Sequence, residues 1–209
     1  KLSDMNLPNK LTLLRILLVP LFVAFSLIDF RGHYFAAALV FVIASVTDCL
    51  DGYIARKHNL VTDFGKFLDP LADKVLVTAA LMCMLFKSET IFSFLEGWGN
   101  VWQLFLIVAV IIIVSREFMV SGLRLVTAGK GVVVPADIWG KLKTAFTMVA
   151  IVFIYLFMEL CEKAIIPFSQ TFFDVGVYIS FALIAISTIL TIISGVRYLW
   201  QMRKYLDMK

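Results

Sequence analysis

Six apolar stretches divide the chain: Ile16–Ile28, Tyr34–Thr47, Val75–Phe86, Val101–Ser115, Ala145–Met158 and Val175–Val196. A helix crossing the hydrocarbon core of a bilayer needs about 20 apolar residues, and only the last stretch reaches that length unaided. The other five each run on into polar sequence at one end: the start of the first, the end of the second, the start of the third, the end of the fourth and the start of the fifth. If six helices alternate in direction, all five polar ends fall on the same side of the membrane. The pattern therefore predicts an all-α integral membrane protein of six spans, with polar ends that line a wet cavity, because ionisable groups at membrane depth face a cavity or each other. No internal repeat, low-complexity run or linker interrupts the chain, so residues 1–209 read as one membrane domain.

Composition strengthens that class. Of 209 residues, 61% are hydrophobic, 14% aromatic and only 16% charged, too little polar surface for a soluble domain of this size. The net charge of +4 is small, but its distribution is not even. Sixteen of the 19 basic residues fall on the cavity side, against Arg31, Lys87 and Lys163 on the other. The positive-inside rule then places the cavity and both termini in the cytoplasm. On the far side the connections Asp29–His33, Lys87–Asn100 and Glu159–Phe172 are short and turn-like, and Phe92, Phe94, Trp98 and Trp102 suit an interfacial aromatic belt. Cys49, Cys83 and Cys161 form no CxxC pair and read as small core or lipid-facing residues; His33 and His58 read as loop or helix-end residues rather than a zinc pair. No basic segment with a short apolar core and a cleavage site opens the chain, so the first apolar segment is expected to remain as a span. Nothing in the pattern points to nucleic acid.

Against this background DCLDGYIARKHNLVTDFGKFLDPLADK, residues 48–74, stands out. Asp48 and Asp51 are three residues apart, and Asp69 and Asp73 four apart, spacings that put each pair on one helix face a turn apart. The second and third spans are consecutive, so the two pairs can face one another across a cavity. Four converging carboxylates in a partly dry place need cations to stay ionised, and hard divalent ions such as Mg²⁺ or Mn²⁺ prefer all-oxygen ligands. Two such ions about 3.5–4 Å apart form a clamp for displacement at phosphorus. Gly52 lets a bulky ligand approach the backbone, Ala55 keeps the same surface low, and Arg56 supplies a fork suited to phosphate. Gly65 reads as the turn into the third helix, Pro70 as part of its first turn, and Asp63 as a solvated loop residue. A single aspartate near a span end can be an interfacial cap; the combination distinguishes these four.

Asp48-x2-Asp51-Gly52-x2-Ala55-Arg56-x8-Gly65-x3-Asp69-x3-Asp73 resembles the signature of the CDP-alcohol phosphotransferases, with every fixed position filled. The resemblance implies six membrane helices, usually in a homodimer, a cytoplasm-facing site, two divalent metals, and displacement of CMP from a CDP-linked substrate by an alcohol. Carried over position by position, it implies that Asp48 and Asp69 touch both metals, Asp51 one and Asp73 the other, with Asp73 also the general base. It further implies that Gly52 and Arg56 hold the cytidine diphosphate, and that Asn9, Thr12 and Thr62 contact the nucleotide.

The acceptor is a separate question. In SREFMVSGLRLVTAGKGVVVPADIWGKLKT, residues 115–144, Arg116, Val120 and Arg124 follow i, i+4, i+8, so both arginines can share one helix face, and Lys141 and Lys143 open the next helix on the same membrane side. Such a basic pocket suits an acceptor that carries its own phosphate. Anchoring to anionic headgroups also explains cations near span ends, and accounts for Lys130, Arg203 and Lys204, but fits Arg116 poorly after its apolar run. Arg116-Glu117, Gly122-Leu123-Arg124 and Gly140-Lys141-Leu142-Lys143-Thr144 look like the bacterial branch of the family that uses CDP-diacylglycerol and glycerol 3-phosphate, in the cytoplasmic membrane. Pro135-Ala136-Asp137 departs from the small residues usual there, and the connection between the third and fourth spans is longer than expected. Glu117 is read as orienting an arginine. A sister enzyme acting on inositol phosphate or serine is the nearest alternative. A divalent-cation carrier would explain the carboxylates but leave Gly52, Arg56 and the second basic cluster idle.

Overall fold

The computed structural model describes residues 7–57, 63–88, 99–129, 138–162 and 170–203, with side chains at 10–48, 72, 74–88, 99–127, 138–162 and 171–203. Among these, regular structure is entirely helical: α1 (Leu7–Leu27), α2 (His33–Lys57), α3 (Asp63–Phe86), α4 (Gly99–Gly129), α5 (Ile138–Glu162) and α6 (Gln170–Met202). Four segments are long and apolar enough to cross a membrane: Lys10–Leu27, Gly99–Thr127, Ile138–Glu162 and Thr171–Met202. In α2 and α3 the apolar parts are shorter, His33–Asp48 and Lys74–Phe86. Helix length is not what they lack: at 25 and 24 residues, each is about 36 Å long at 1.5 Å per residue, against about 30 Å of hydrocarbon. Their polar portions are continuous helix with the apolar ones. Uncovered faces are strongly apolar, with Leu17, Phe86, Leu125 and Trp200 at 62–75% exposure, as a lipid-facing surface requires.

One sequence expectation is corrected here. The third helix begins at Asp63, so Asp63 is not a loop residue, Gly65 lies within the first turn, and Pro70 is well inside the helix rather than in that turn. An acidic first residue suits the positive end of the helix dipole, and proline inside a membrane helix is tolerated where neighbours compensate the lost hydrogen bond. α1 carries a similar internal proline, Pro20.

The packing falls into two compact units, Lys1–Lys87 with Ile151–Pro167, and Ser88–Ala150 with Phe168–Lys209. In the first, α1 packs on both α2 and α3, which also touch. The interior stripe of α1 is Thr12, Arg15, Val19, Phe22 and Ser26, spaced three and four apart. Phe22 meets Phe41 and Tyr155 at centroid distances of 5.9 and 5.4 Å, and the Tyr155 hydroxyl donates to the Ala80 carbonyl. A polar clasp closes the α1–α2 end. Gly32, at φ 93°, turns the chain into α2 in a conformation that side chains resist. His33, fully buried, lies with Nδ1 3.1 Å from the Phe25 carbonyl and Nε2 2.9 Å from Glu162. Glu159 accepts the Phe35 N–H, capping α2, and Lys87 binds Asp29 at 2.7 Å. His33 is thus a helix-end residue, as expected, with definite partners.

The second unit is built around α4 and α6. Ala109, Val110, Ile113, Val177 and Ile184 form its apolar interior. Trp102 stacks on Phe181 at 4.0 Å. Hydroxyls in both units are satisfied mostly within their own helix: Ser26, Ser45, Ser121, Thr144, Thr147, Ser180, Thr188 and Thr191 each donate to the carbonyl four residues back. Cys83 and Cys161 are free and buried, as read from their surroundings. Cys49, His58, Phe92, Phe94, Trp98, Lys130, Pro135-Ala136-Asp137 and Lys204 lie outside the described side chains.

Candidate functional site

The carboxylates lie on the two helices the sequence assigns them to. Asp48 and Asp51 are on α2, and Asp69 and Asp73 on α3, all within continuous helix. Gly52 and Arg56 share the last turns of α2, and Asn9 and Thr12 the first turns of α1. The side chains of Asn9, Asp51, Gly52, Arg56, Asp69 and Asp73, and all of Thr62, lie outside the described residues. Asp48 and Thr12 are described. Asp48 continues the α2 stripe of Phe41 and Ala44, which is buried against α1. Thr12 is 1% exposed, one turn before Arg15 on the interior face of α1.

Arg15 is the residue sequence reasoning missed. Its side chain is 0% exposed; Nη1 lies 2.8 Å from Asp48 Oδ1, and Nε donates to the Ala44 carbonyl. The pair ties α1 to α2 and sets a cation against a carboxylate that is itself 32% exposed. A signal was available, since a lone arginine inside an apolar span must pair or line a cavity. Its partner is 33 positions away on another helix, where no local spacing reveals it.

The four aspartates lie on two helices that touch, and as a donor set they would offer only carboxylate oxygen, with no sulfur or imidazole. That chemistry fits a hard divalent ion such as Mg²⁺ or Mn²⁺.

The basic residues of the second unit sort themselves by depth. Arg116 and Arg124 of α4 both face α6, as the i, i+4, i+8 spacing predicts. The Arg116 Nη2 donates to Ser194 Oγ, while the Arg124 guanidinium lies 5.5 Å over the Tyr198 ring. Val120, between them, packs with Tyr198 and Met202. Lys143, near the start of α5, is buried and ion-paired to Glu117 of α4. Glu117 Oε1 is 3.8 Å from Arg116 Nη1, so its main partner is the lysine rather than an arginine. Lys141 is exposed. Of the four cations singled out from sequence, Arg116 and Lys143 form one interior cluster about Glu117. Arg124 sits two turns along on the same face, and Lys141 stands apart. Arg197 lies 6.0 Å over the Trp139 ring in the same unit.

Known proteins resemble the chain over nearly its full length. The family model for CDP-alcohol phosphatidyltransferase matches residues 5–193. A Bacillus subtilis protein named CDP-diacylglycerol–glycerol-3-phosphate 3-phosphatidyltransferase is 43% identical over 185 residues, 83% of this chain and 88% of its own length. A Rickettsia felis protein of the same name is 37% identical over 202 residues, 97% of this chain and 98% of its own. One from Rickettsia prowazekii is 42% identical over 148 residues, 71% and 74% of the two chains.

Proposed function

The chain belongs to the CDP-alcohol phosphatidyltransferase family, and on that premise we propose that it transfers the phosphatidyl group of CDP-diacylglycerol to sn-glycerol 3-phosphate. The products are phosphatidylglycerol phosphate and CMP, a step of phospholipid biosynthesis. What carries the choice of acceptor is the likeness, over most of the chain, to proteins named for glycerol 3-phosphate; the interior cluster of Arg116 and Lys143 about Glu117 supports an acceptor with a phosphate of its own. Two cations drawn into a mostly apolar unit suit an alcohol bearing its own phosphate better than a neutral or zwitterionic one.

In this reading Asp48, Asp51, Asp69 and Asp73 would hold two divalent ions, Mg²⁺ or Mn²⁺, whose chemistry would be to neutralise charge on the pyrophosphate. Asn9, Thr12, Gly52, Arg56 and Thr62 seat the CDP group of the lipid. Asp73 takes the proton of the acceptor's primary hydroxyl. The hydroxyl oxygen bonds to the β-phosphorus as the phosphorus–oxygen bond to CMP breaks, and CMP leaves with that electron pair. Arg116, Arg124, Lys141 and Lys143 hold the acceptor's phosphate, with Arg116 and Lys143 closest to it. Arg15 holds one oxygen of Asp48 and so limits how that carboxylate can turn.

The wider setting completes the proposal. All six helices cross a bacterial cytoplasmic membrane, the polar ends of α2 and α3 reach the cytoplasmic side with both termini, and residues 1–209 act as one catalytic domain in a homodimer. The test is CMP release by the purified protein from CDP-diacylglycerol with glycerol 3-phosphate, inositol phosphate or serine as acceptor. Release with glycerol 3-phosphate alone is expected; release with one of the others, and none with glycerol 3-phosphate, overturns the assignment.

A further inference from the structure

Arg116 is held by α6 in a way that its own helix does not explain. Its Nη2 donates to Ser194 Oγ, and Ser194 is 2% exposed. The next residue, Gly195, leaves room for the arginine's stem: a Cβ there would stand 3.2 Å from Arg116 Cγ, tighter than ordinary packing allows. Gly140 of α5 is also close, its Cβ position 3.7 Å from Ser194 Oγ and 4.0 Å from Arg116 Nη2. The guanidinium is thus bounded by the Ser194 hydroxyl and Gly140, and the stem behind it by Gly195. Its Nε–H is buried and meets no hydrogen-bond partner among the described residues, and the carboxylate nearest Nη1 is 3.8 Å away. A buried guanidinium donor without a protein acceptor is costly to leave so, unless a ligand oxygen completes it.

We propose that Ser194 and Gly195 are positioning residues for the acceptor: Ser194 fixes the plane of the Arg116 guanidinium, and Gly195 clears the path of its stem. The Nε and Nη1 donors are thereby presented to the phosphate monoester of the incoming alcohol. This rests on the reading of Arg116 as a ligand of that phosphate. Most described hydroxyls in these helices bond back into their own helix, which makes the Ser194 contact to another helix's arginine a specific one.

The experiment uses the purified full chain at saturating CDP-diacylglycerol, with glycerol 3-phosphate varied and CMP release followed. Ser194→Ala is expected to raise the KM for glycerol 3-phosphate about tenfold, the equivalent of one hydrogen bond to a charged group, with kcat and the KM for CDP-diacylglycerol within about twofold of wild type. Ser194→Thr, which keeps the hydroxyl, recovers most of the affinity, and Gly195→Ala raises the same KM. Added to Arg116→Gln, Ser194→Ala has no further effect. If Arg116→Gln raises the acceptor KM but Ser194→Ala leaves it unchanged, or if Ser194→Ala lowers kcat and both KM readings shift together, the positioning role is wrong and the acceptor reading stands. If Arg116→Gln itself leaves the acceptor KM unchanged, the acceptor reading fails first. Should Gly195→Ala not fold, the Ala and Thr replacements of Ser194 decide the matter alone.

Discussion

The Arg15–Asp48 pair is unequal, and the inequality has a measurable consequence. Arg15 is 0% exposed while Asp48 is 32% exposed, at 2.8 Å from each other. Replacing Asp48 by Asn leaves a fully buried guanidinium facing an amide in place of its carboxylate. Removing one partner of a buried pair costs about 3–5 kcal/mol, and the partial exposure of Asp48 brings this down to about 2–3 kcal/mol. Replacing Arg15 by Met removes the same pair but leaves behind a carboxylate that water reaches, and fills the site with an apolar side chain of similar length. That exchange costs between nothing and about 1 kcal/mol. For a chain of this size, each kcal/mol moves the midpoint by about 2–4 °C, so Asp48→Asn should lower the apparent Tm by about 4–12 °C and Arg15→Met by no more than about 4 °C. Both are measured in one detergent with divalent ions chelated and at high ionic strength, which removes metal binding and screens repulsion among the neighbouring aspartates. A larger loss for Arg15→Met than for Asp48→Asn would refute the claim that burial of the arginine governs the pair.

Other consequences follow from the remaining polar contacts. The Asp29 carboxyl is held below its usual value near 3.8 by the hydrogen bond from Lys87, and the Lys87 ammonium above its usual 10.5 by the same contact. The clasp therefore stabilises across neutral pH, is lost as pH falls below 3.8 through the depressed Asp29 value, and is lost again above 10.5. Asp29→Asn should lower the apparent Tm slightly at pH 7, and its difference from wild type should shrink steadily as pH falls below 3.8; a difference that stays constant or grows in acid would contradict the assignment. Glu159→Gln, which weakens the cap on the Phe35 N–H, should cost about 1 kcal/mol and increase amide exchange at the start of α2, read by hydrogen–deuterium exchange. Glu117→Gln should weaken the ion pair that competes with the acceptor for Lys143, leaving the KM for glycerol 3-phosphate unchanged or lower; Lys143→Met should raise it about tenfold or more.

Much of the fold can be read from spacing because membrane helices display their periodicity openly. The pairs 48/51 and 69/73 place four aspartates on two consecutive helices, and the helices run through them unbroken. The 116/120/124 stripe likewise meets α6 along its length. What escapes such reading depends on contacts between distant residues. Arg15 looks like one more flanking cation until α2 supplies its carboxylate. Glu117 lies next to Arg116 in sequence yet turns to Lys143 across to α5. Ser194 sits in an apolar run like many other hydroxyls, and only packing shows that its partner lies on α4. The start of α3 escapes for a different reason: glycine and proline read as helix openers by rules drawn from water, whereas Gly65 and Pro70 lie inside this helix.

The central claim is that the aspartates of α2 and α3 drive a metal-dependent displacement of CMP by glycerol 3-phosphate. Incorporation of labelled glycerol 3-phosphate into organic-soluble lipid, by purified protein supplied with CDP-diacylglycerol, tests it most directly. The account predicts incorporation equal to the CMP released, dependent on Mg²⁺ or Mn²⁺, stopped by EDTA, and abolished in Asp73→Asn while that variant keeps its helix content and Tm. Incorporation that continues in EDTA or in folded Asp73→Asn, or CMP release with the label left in water, would contradict it.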